Sequence, residues 1–454
     1  MKPKIGLASL ISPWFAEIGA GGGFEAETAK IAAAFAPFFE VTDPGPIDSE
    51  EKALRAVKMF RTSGVDAVAF VHVAWSSDGP LVRIAEGMKG LPFLVWCYLP
   101  SAAMADGMTV MDVFKATGPV GTMQGSAPFR RMNVNFHFLF GTAETVQKKL
   151  EDFSAALGAS ASLKSLRIGL VGPRCECMTG TYVDEAQLLL KLGVKIIPIS
   201  ALQLFNMNVS GNKVSRFVTQ LKKRYRTDGV SDEALRNSAR VTLAVERAVT
   251  EHDLDGISIE DLNAELLELF HARPALWTDG LSRRGTAVTM EGDVVSLLGV
   301  WAASRLSGAP AMYSEVFCVD SARNLMLTGH ATMHDLSLAG GEITLIPDRE
   351  YENAEGVEGA WMHFVPKPGR VTLVNFFDNG GGYRAFSCLG EALKDNASHP
   401  LGYTSALVRP DIPVPDLFER TVKLGMTQHF AMCCGDVTER LRMFCSLSNV
   451  EYVN

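Results

Sequence analysis

The sequence lacks the features that would place it in a specialised structural class. It has no apolar run of membrane-spanning length, no internal repeat and no low-complexity tract. Its eight cysteines are too few for a disulfide framework in 454 residues, and neither Cys175-Glu-Cys177 nor Cys433-Cys434 has the two-residue gap of a zinc hook. We therefore expect reduced thiols, a cytoplasmic location and no membrane partner.

Basic residues are also in short supply relative to acidic ones. The net charge of −8 argues against a nucleic-acid partner, and 47% hydrophobic residues indicate a globular chain with large cores. Residues 2–11 faintly resemble a signal peptide, but Trp14 and Glu17 follow and no cleavage site is evident. A first β-strand over residues 4–11 is therefore a better interpretation than a signal peptide.

The N-terminal third alternates between apolar strand-like runs and amphipathic segments. Strands are predicted over 4–11, 38–42, 65–73 and 93–98, with helices over 24–36, 50–62 and 80–88. Nearly uniform apolar strands in such an alternation predict a parallel sheet covered on both faces. A small, polar segment at 151–164 is a candidate domain boundary, and the pattern restarts with 166–172, 184–192 and 194–199.

Beyond residue 335 the texture changes to short alternating segments separated by glycines, which indicates antiparallel structure. The predicted fold is α/β, with two tandem doubly wound (Rossmann-like) domains followed by a β-rich, barrel-like C-terminal domain. The expected boundaries are 1–160, 161–308 and 309–454, with a terminal helix over 436–447.

A glycine cluster follows the first predicted strand, at Gly19 and Gly21–Gly23. It suggests a dinucleotide site, with Asp43 as the ribose carboxylate, and hence a dehydrogenase. The spacing is poor, because seven residues separate the strand from Gly19 and Phe24 occupies the third glycine position. A loop near a site is the favoured interpretation.

Acidic residues and a histidine flank apolar elements between residues 289 and 330. Glu291 and Asp293 stand where a helix should begin, and Glu315 interrupts an apolar strand. A carboxylate inside a buried strand is costly unless it is paired, protonated or bound to a metal. The candidate ligands are Glu291, Glu315, His330 and His429, a mixed set that suits Mn²⁺, Mg²⁺ or Co²⁺ better than structural zinc.

Five segments are similar to motifs of one known superfamily. They are Thr289-Met-Glu291-Gly292-Asp293, Tyr313-Ser-Glu315, Asn324-Leu-Met-Leu-Thr-Gly-His330, Gly369-Arg-Val-Thr-Leu, and Gln428-His429 followed by Gly435-Asp436. These resemble the L-fucose isomerase and L-arabinose isomerase superfamily. Gln428 replaces the first histidine of that superfamily's usual pair, and Ala331-Thr332 replaces its Cys-Gly after the preceding histidine.

The resemblance implies that Glu291, Glu315 and His429 hold Mn²⁺, with His330 a fourth ligand or near neighbour. It implies that Gln124, in Thr-Met-Gln-Gly-Ser, contacts the substrate, and we predict the same for Trp14. It also implies a homo-oligomer in which subunits share the active site.

The implied reaction interconverts an aldose and a ketose through an enediolate, on a small monosaccharide of pentose or deoxyhexose type. A divalent ion would act as a Lewis acid, and Glu291 and Glu315 would move the protons. Which glutamate is the base stays open. The alternative is a sugar-binding or regulatory protein without catalysis, since two doubly wound domains are also the plan of solute-binding proteins.

Overall fold

The structure is a computed structural model that describes residues 2–19, 24–378, 380–394 and 402–454. It divides into two compact units, Met1–Ala161 and Ser162–Asn454. Most of the predicted glycine loop, residues 20–23, lies outside the described residues. The three-domain division expected from the sequence stays a prediction.

The first unit contains five strands and seven helices within its described residues. The strands are β1 Lys4–Leu10, β2 Glu40–Thr42, β3 Ala67–His72, β4 Phe93–Tyr98 and β5 Phe136–Gly141. The helices are α1 Trp14–Glu17, α2 Glu25–Phe35, α3 Glu50–Ser63, α4 Asp78–Gly87, α5 Val110–Lys115, α6 Gly118–Arg131 and α7 Gln147–Leu163. The segment 151–164, expected to mark a boundary, is therefore helical through Leu163.

The sheet of the first unit has the order β2-β1-β3-β4-β5, and all its neighbours are parallel. This is one of the two common doubly wound orders. Every residue of β3 and β4 is buried, as expected for strands covered on both faces. Residues from α3, α4 and α6 pack with β1, β3 and β4 in one apolar core.

The second unit begins near the end of α7 and holds the remaining elements of the described chain. Its strands are β6 Arg167–Val171, β7 Lys195–Ile199, β8 Arg226–Thr227, β9 Gly256–Ile259, β10 Ala287–Met290, β11 Met312–Asp320, β12 Leu325–Gly329, β13 Thr344–Pro347, β14 Ala360–His363, β15 Gly369–Asp378, β16 Tyr383–Ala392, β17 Ser405–Pro410, β18 His429–Cys434 and β19 Glu451–Val453. Its helices are α8 Glu185–Leu192, α9 Ala201–Phe205, α10 Gly211–Arg224, α11 Asp232–Glu251, α12 Ala264–Phe270, α13 Asp279–Arg284, α14 Val294–Ser307, α15 Val414–Leu424 and α16 Thr438–Leu447. Three short 3₁₀ helices cover Thr179–Thr181, Leu336–Leu338 and Arg349–Tyr351.

Two larger sheets organise the second unit. Strands β10-β9-β6-β7 form a parallel sheet, so the segment 166–199 starts a new sheet rather than extending the first one. Strands β15-β18-β11-β12-β17-β16 form an antiparallel sheet, and pairing of β15 with β16 along their whole length closes it into a ring. The expectation of an α/β chain with parallel sheets and a β-rich C-terminal region is confirmed.

Helix α14 connects the two sheets of the second unit. Asp293 caps it by accepting a hydrogen bond from the backbone N–H of Ser296, and Gly308 ends it at a φ of 73°. Most of its residues are buried, because it packs against β10 as well as β15 and β18. The start of α14 is therefore held between the parallel sheet and the ring.

Candidate metal centre

The turn between β10 and α14 has an unusual backbone. Glu291 and Gly292 follow one another with φ of 61° and 62°. A non-glycine residue in this left-handed region costs about 1–3 kcal/mol and persists only where its surroundings impose it. Glu291 thus lies between the strand and the cap residue Asp293, just outside the helix whose first turn it was expected to join.

The register of three ring strands brings the other candidates together. Strand β11 lies between β18 and β12, and Glu315 stands opposite His429 on one side and Gly329 on the other. Directly opposite residues of antiparallel strands have Cβ atoms about 5 Å apart. His330 immediately follows Gly329, so two histidines from separate parts of the chain flank the same glutamate.

Three side-chain atoms from these elements converge. Glu291 Oε2 lies 3.0 Å from His429 Nε2 and 3.8 Å from His330 Nε2. The ligand atoms of the three residues lie within 4.8 Å of one another, and no other such group of three occurs in the described chain. Glu315 Oε2 stands slightly apart, 4.0 Å from His429 Nε2.

These three atoms are buried, and apart from their close approach to one another none has a hydrogen-bond partner within the described ranges. Buried polar atoms in proteins are nearly always partnered, so three together indicate a missing common partner. One carboxylate oxygen and two imidazole nitrogens are a donor set that suits a divalent transition metal. The residues present therefore fit the predicted metal ion.

The second ring nitrogen of His429 is fixed from behind. His429 Nδ1 lies 2.7 Å from Asp293 Oδ2 and 2.7 Å from the Tyr313 hydroxyl. Because a carboxylate only accepts, Nδ1 carries the hydrogen that is donated to Asp293. Metal-binding histidines are commonly oriented by such a carboxylate, which leaves Nε2 directed at the metal.

Glu291 and His429 shift each other's pKa values. Burial opposes ionisation of Glu291, but the neighbouring His330 and His429 outweigh it and hold the pKa of Glu291 well below its usual range. Burial likewise opposes a charged imidazole at His429, but Asp293 and Glu291 raise the pKa of His429 to about 9. A metal at Nε2 would thus have to displace a proton.

Two further acidic residues follow β9, next to the turn. Burial, together with the charges of Asp261 and Glu291, raises the pKa of Glu260 to about 7. Asp261 Oδ1 accepts a hydrogen bond of 3.2 Å from the backbone N–H of Glu291. Sequence reasoning missed both residues, although functional groups often follow strands at the carboxyl edge of a parallel sheet.

Trp14 and Gln124, the two predicted substrate contacts, lie in the first unit. Gln124 Oε1 accepts a hydrogen bond of 2.9 Å from Trp75 Nε1, and Gln124 Nε2 donates one of 2.9 Å to Asp78. The rings of Trp75 and Trp14 meet edge to face at 6.3 Å. The structure thus links the two predicted residues through Trp75, and their contact with a substrate stays a prediction.

The remaining sequence expectations concern cysteines and membranes. All eight cysteines lie within the described ranges, where none forms a disulfide, and Cys175 Sγ lies 3.2 Å from Cys177 Sγ. No helix in the described residues has the length and apolar character needed to cross a membrane.

Comparison with known proteins finds relatives that share one enzymatic activity. No family model matches the chain. Curated proteins called sulfoquinovose isomerase are similar to it: that of Alkalicoccus urumqiensis is 23% identical over 401 residues, 86% of each chain. That of Priestia aryabhattai is 22% identical over 414 residues, 89% of each chain. That of Clostridium sp. (strain MSTE9) is 23% identical over 343 residues, 70% of this chain and 71% of the relative.

These relatives indicate that the chain is an enzyme, a sugar isomerase that interconverts an aldose and a ketose. The predicted enzyme class is thereby confirmed. Membership of the fucose and arabinose isomerase superfamily, the metal and the individual site residues stay predictions.

Proposed function

We propose that this enzyme isomerises a small aldose at a divalent metal ion. The preferred ion is Mn²⁺, for which Mg²⁺ or Co²⁺ can substitute. Glu291, His330 and His429 would hold the ion, with Glu315 completing the set. The observation that carries the proposal is the convergence of three buried ligand atoms from three separate elements, which approach one another and have no other partner among the described residues. A site with one carboxylate and two imidazoles leaves positions open for a substrate.

Glu291 and Glu315 have different surroundings, and we assign them different roles for this reason. A divalent ion supplies Lewis acidity, which favours loss of a proton from the carbon between the sugar oxygens. The Glu291 side chain is 14% exposed and lies between two imidazoles, which suits a ligand. The Glu315 side chain is 31% exposed and reaches the same centre, so it is the better placed to take the carbon proton and return it.

The names of the relatives make sulfoquinovose the first substrate to test on this chain. Pentoses and deoxyhexoses, which the resemblance to fucose and arabinose isomerases implies, form the second group. Superfamily membership would also predict a homo-oligomer in which Trp14 and Gln124 of one subunit approach the metal centre of another. Mixing Trp14→Ala with Glu315→Gln protein should then restore activity that neither variant has alone.

Isotope exchange in deuterium oxide tests the proposed reaction. If a carboxyl group carries the proton between the carbons, solvent deuterium should appear at C1 of the ketose or C2 of the aldose, measured by NMR. A hydride shift would leave these positions unlabelled. Protein that binds the sugar with Mn²⁺ present, yet neither labels nor converts it, would favour the non-catalytic alternative.

Glu315→Gln tests the assigned base, because glutamine keeps the size of the side chain and loses its basicity. Exchange and turnover should fall by about a hundredfold or more, whereas Mn²⁺ binding should fall less, because glutamine keeps a carbonyl oxygen and the other three ligands are unchanged. Glu391→Gln is the matched control, since Glu391 is an exposed position on strand β16 of the same ring. Unchanged labelling in Glu315→Gln would remove this residue from the mechanism and leave the enzyme class intact.

A further inference from the structure

The left-handed backbone at Glu291 needs an anchor, and the described structure provides one. Asp261 Oδ1 accepts a hydrogen bond of 3.2 Å from the backbone N–H of Glu291. This bond connects the turn after β10 to the end of the neighbouring strand β9. The Asp261 side chain is only 3% exposed. This bond acts on the backbone of Glu291, whose carboxylate is the one oxygen ligand in the converging group.

Asp261 is in turn held by a buried cation. Its Oδ2 lies 3.5 Å from Arg273 Nη1, and the Arg273 side chain is 2% exposed. Arg273 also bonds Asp348 through Nε at 3.1 Å and Nη2 at 3.0 Å, and its Nη2 reaches Glu350 at 2.6 Å. A guanidinium fixed by several planar contacts cannot shift easily, so it orients the Asp261 carboxylate.

Two aromatic rings also pack against the guanidinium of Arg273. Its central carbon lies 4.5 Å from the ring centre of Tyr351 and 4.9 Å from that of Trp361. Such cation–π packing immobilises an arginine without using its N–H groups. Arg273, Asp261 and the turn residue Glu291 thus form a rigid chain of contacts within the second unit.

We propose that Asp261 is a positioning residue for the metal centre: it pins the backbone of Glu291 in its left-handed conformation, with Arg273 as its buried counter-ion, and so aims the Glu291 carboxylate. This inference rests on the proposed metal-dependent function. Outer-shell partners of metal ligands are worth about 10- to 100-fold in metal affinity.

Two substitutions of Asp261 distinguish a role in positioning Glu291 from a general role in the stability of the fold. Asp261→Ala removes the acceptor and should weaken Mn²⁺ binding about 10- to 100-fold, measured from the paramagnetic signal of free Mn²⁺. Asp261→Asn keeps a carbonyl oxygen for the Glu291 N–H but loses the ion pair with Arg273, so its Mn²⁺ affinity should fall less than that of Asp261→Ala. Rescue by this conservative variant would not follow from loss of packing alone.

Asp348→Ala is the matched control. It removes two hydrogen bonds from Arg273 yet leaves the contact between Asp261 and Glu291 untouched. Its thermal stability should fall, whereas the Mn²⁺ affinity of the folded protein should change less than in Asp261→Ala. Equal losses of affinity in both variants, or wild-type affinity in folded Asp261→Ala, would overturn the inference.

Hydrogen exchange provides a readout that needs no metal. In metal-free protein, the peptide containing Glu291 should exchange faster in Asp261→Ala than in the wild type, because its N–H loses its acceptor. Unchanged exchange would contradict the pinning. Wild-type protein that binds no divalent ion would instead contradict the proposed function, and faster exchange in the variant would still support the pinned turn.

Discussion

The two ring nitrogens of His429 have separate partners. Nδ1 is held by Asp293 and Tyr313, while the buried Nε2 faces the Glu291 carboxylate and has no further hydrogen-bond partner among the described residues. A histidine oriented on one side and unpartnered on the other is the arrangement expected of a metal ligand. The Asp293 carboxylate also caps α14 with its other oxygen, so one side chain serves both the helix and the site.

His429→Ala should abolish stoichiometric Mn²⁺ binding and activity together. Loss of a direct ligand should cost more than the roughly 10- to 100-fold that an outer-shell partner costs. Metal content of the purified variant checks this, with His252→Ala as the control, since no metal-ligand group of the described chain includes His252. Full metal content in His429→Ala would show that another cluster holds the ion.

At the scale of elements, the turn from β10 to α14 depends on Gly292 as well as on Glu291. A Cβ added at Gly292 would lie 3.3 Å from the backbone oxygen of Pro173, and the φ of 62° disfavours a side chain in any case. Gly308 has a similar φ of 73° at the other end of the helix, but its Cβ position meets no atom within 4 Å in the described structure.

The two glycines give a matched pair of substitutions. Gly308→Ala should cost about 1–2 kcal/mol of unfolding free energy, from the left-handed backbone alone. Gly292→Ala should cost about 1–3 kcal/mol and also weaken Mn²⁺ binding, because the displaced turn carries Glu291. Denaturant unfolding and metal titration of both variants check this; unchanged affinity in Gly292→Ala would mean that the turn tolerates the shift.

In the first unit, the end of β3 packs closely on α6. A Cβ at Gly121 would lie 2.6 Å from His72 Nδ1. Helix α6 can therefore approach the imidazole this closely only because residue 121 is a glycine. His72 is 2% exposed, and its Nδ1 lies 3.0 Å from Ser76 Oγ. Burial lowers the pKa of His72 from 6.5 to about 4, so the folded state keeps the ring neutral.

This burial predicts an acid-dependent loss of stability. Well above pH 6.5 the imidazole is neutral in both the folded and the unfolded state and contributes no pH dependence. As the pH falls from 6.5 towards 4, the unfolded state binds a proton that the folded state does not, and unfolding becomes easier by about 2–3 kcal/mol. Unfolding free energies at pH 7 and pH 4.5 should therefore differ more in the wild type than in His72→Asn. An equal pH dependence in both would show that His72 titrates normally.

At the scale of the whole molecule, the candidate site draws on separated parts of one unit. Its residues come from the turn after β10, the middle of β11, the end of β12 and the start of β18. A ligand that bridges them stabilises only the folded state. Binding of the proposed metal ion would therefore be coupled to folding of these elements.

Mn²⁺ at about one hundred times its dissociation constant should raise the unfolding free energy by about 2.7 kcal/mol, and chelation should reverse this. Hydrogen exchange should locate the added protection in β11, β12, β18 and the start of α14. Melting temperatures that are identical with Mn²⁺ and with a chelator would contradict the proposed site.

Local chemistry let the sequence alone predict most elements. The apolar strands β3 and β4 and the acidic start of α14 at Asp293 follow from side-chain pattern and from the charge preference of a helix start, which act over a few residues. The α/β class was predicted in the same way, and motifs around Glu291, Glu315, His330 and His429 made these residues the candidate ligands, an assignment that stays a prediction.

Only the tertiary structure decided which polar groups meet. The left-handed φ of Glu291, the contact of Asp261 with its N–H and the placement of Tyr313 behind His429 arise between residues separated by 30 and 116 positions. Strand register and sheet order set these contacts, and the local sequence does not encode them. The closing of β15 on β16 has the same origin, since pairing partners are chosen by the packing of the whole ring.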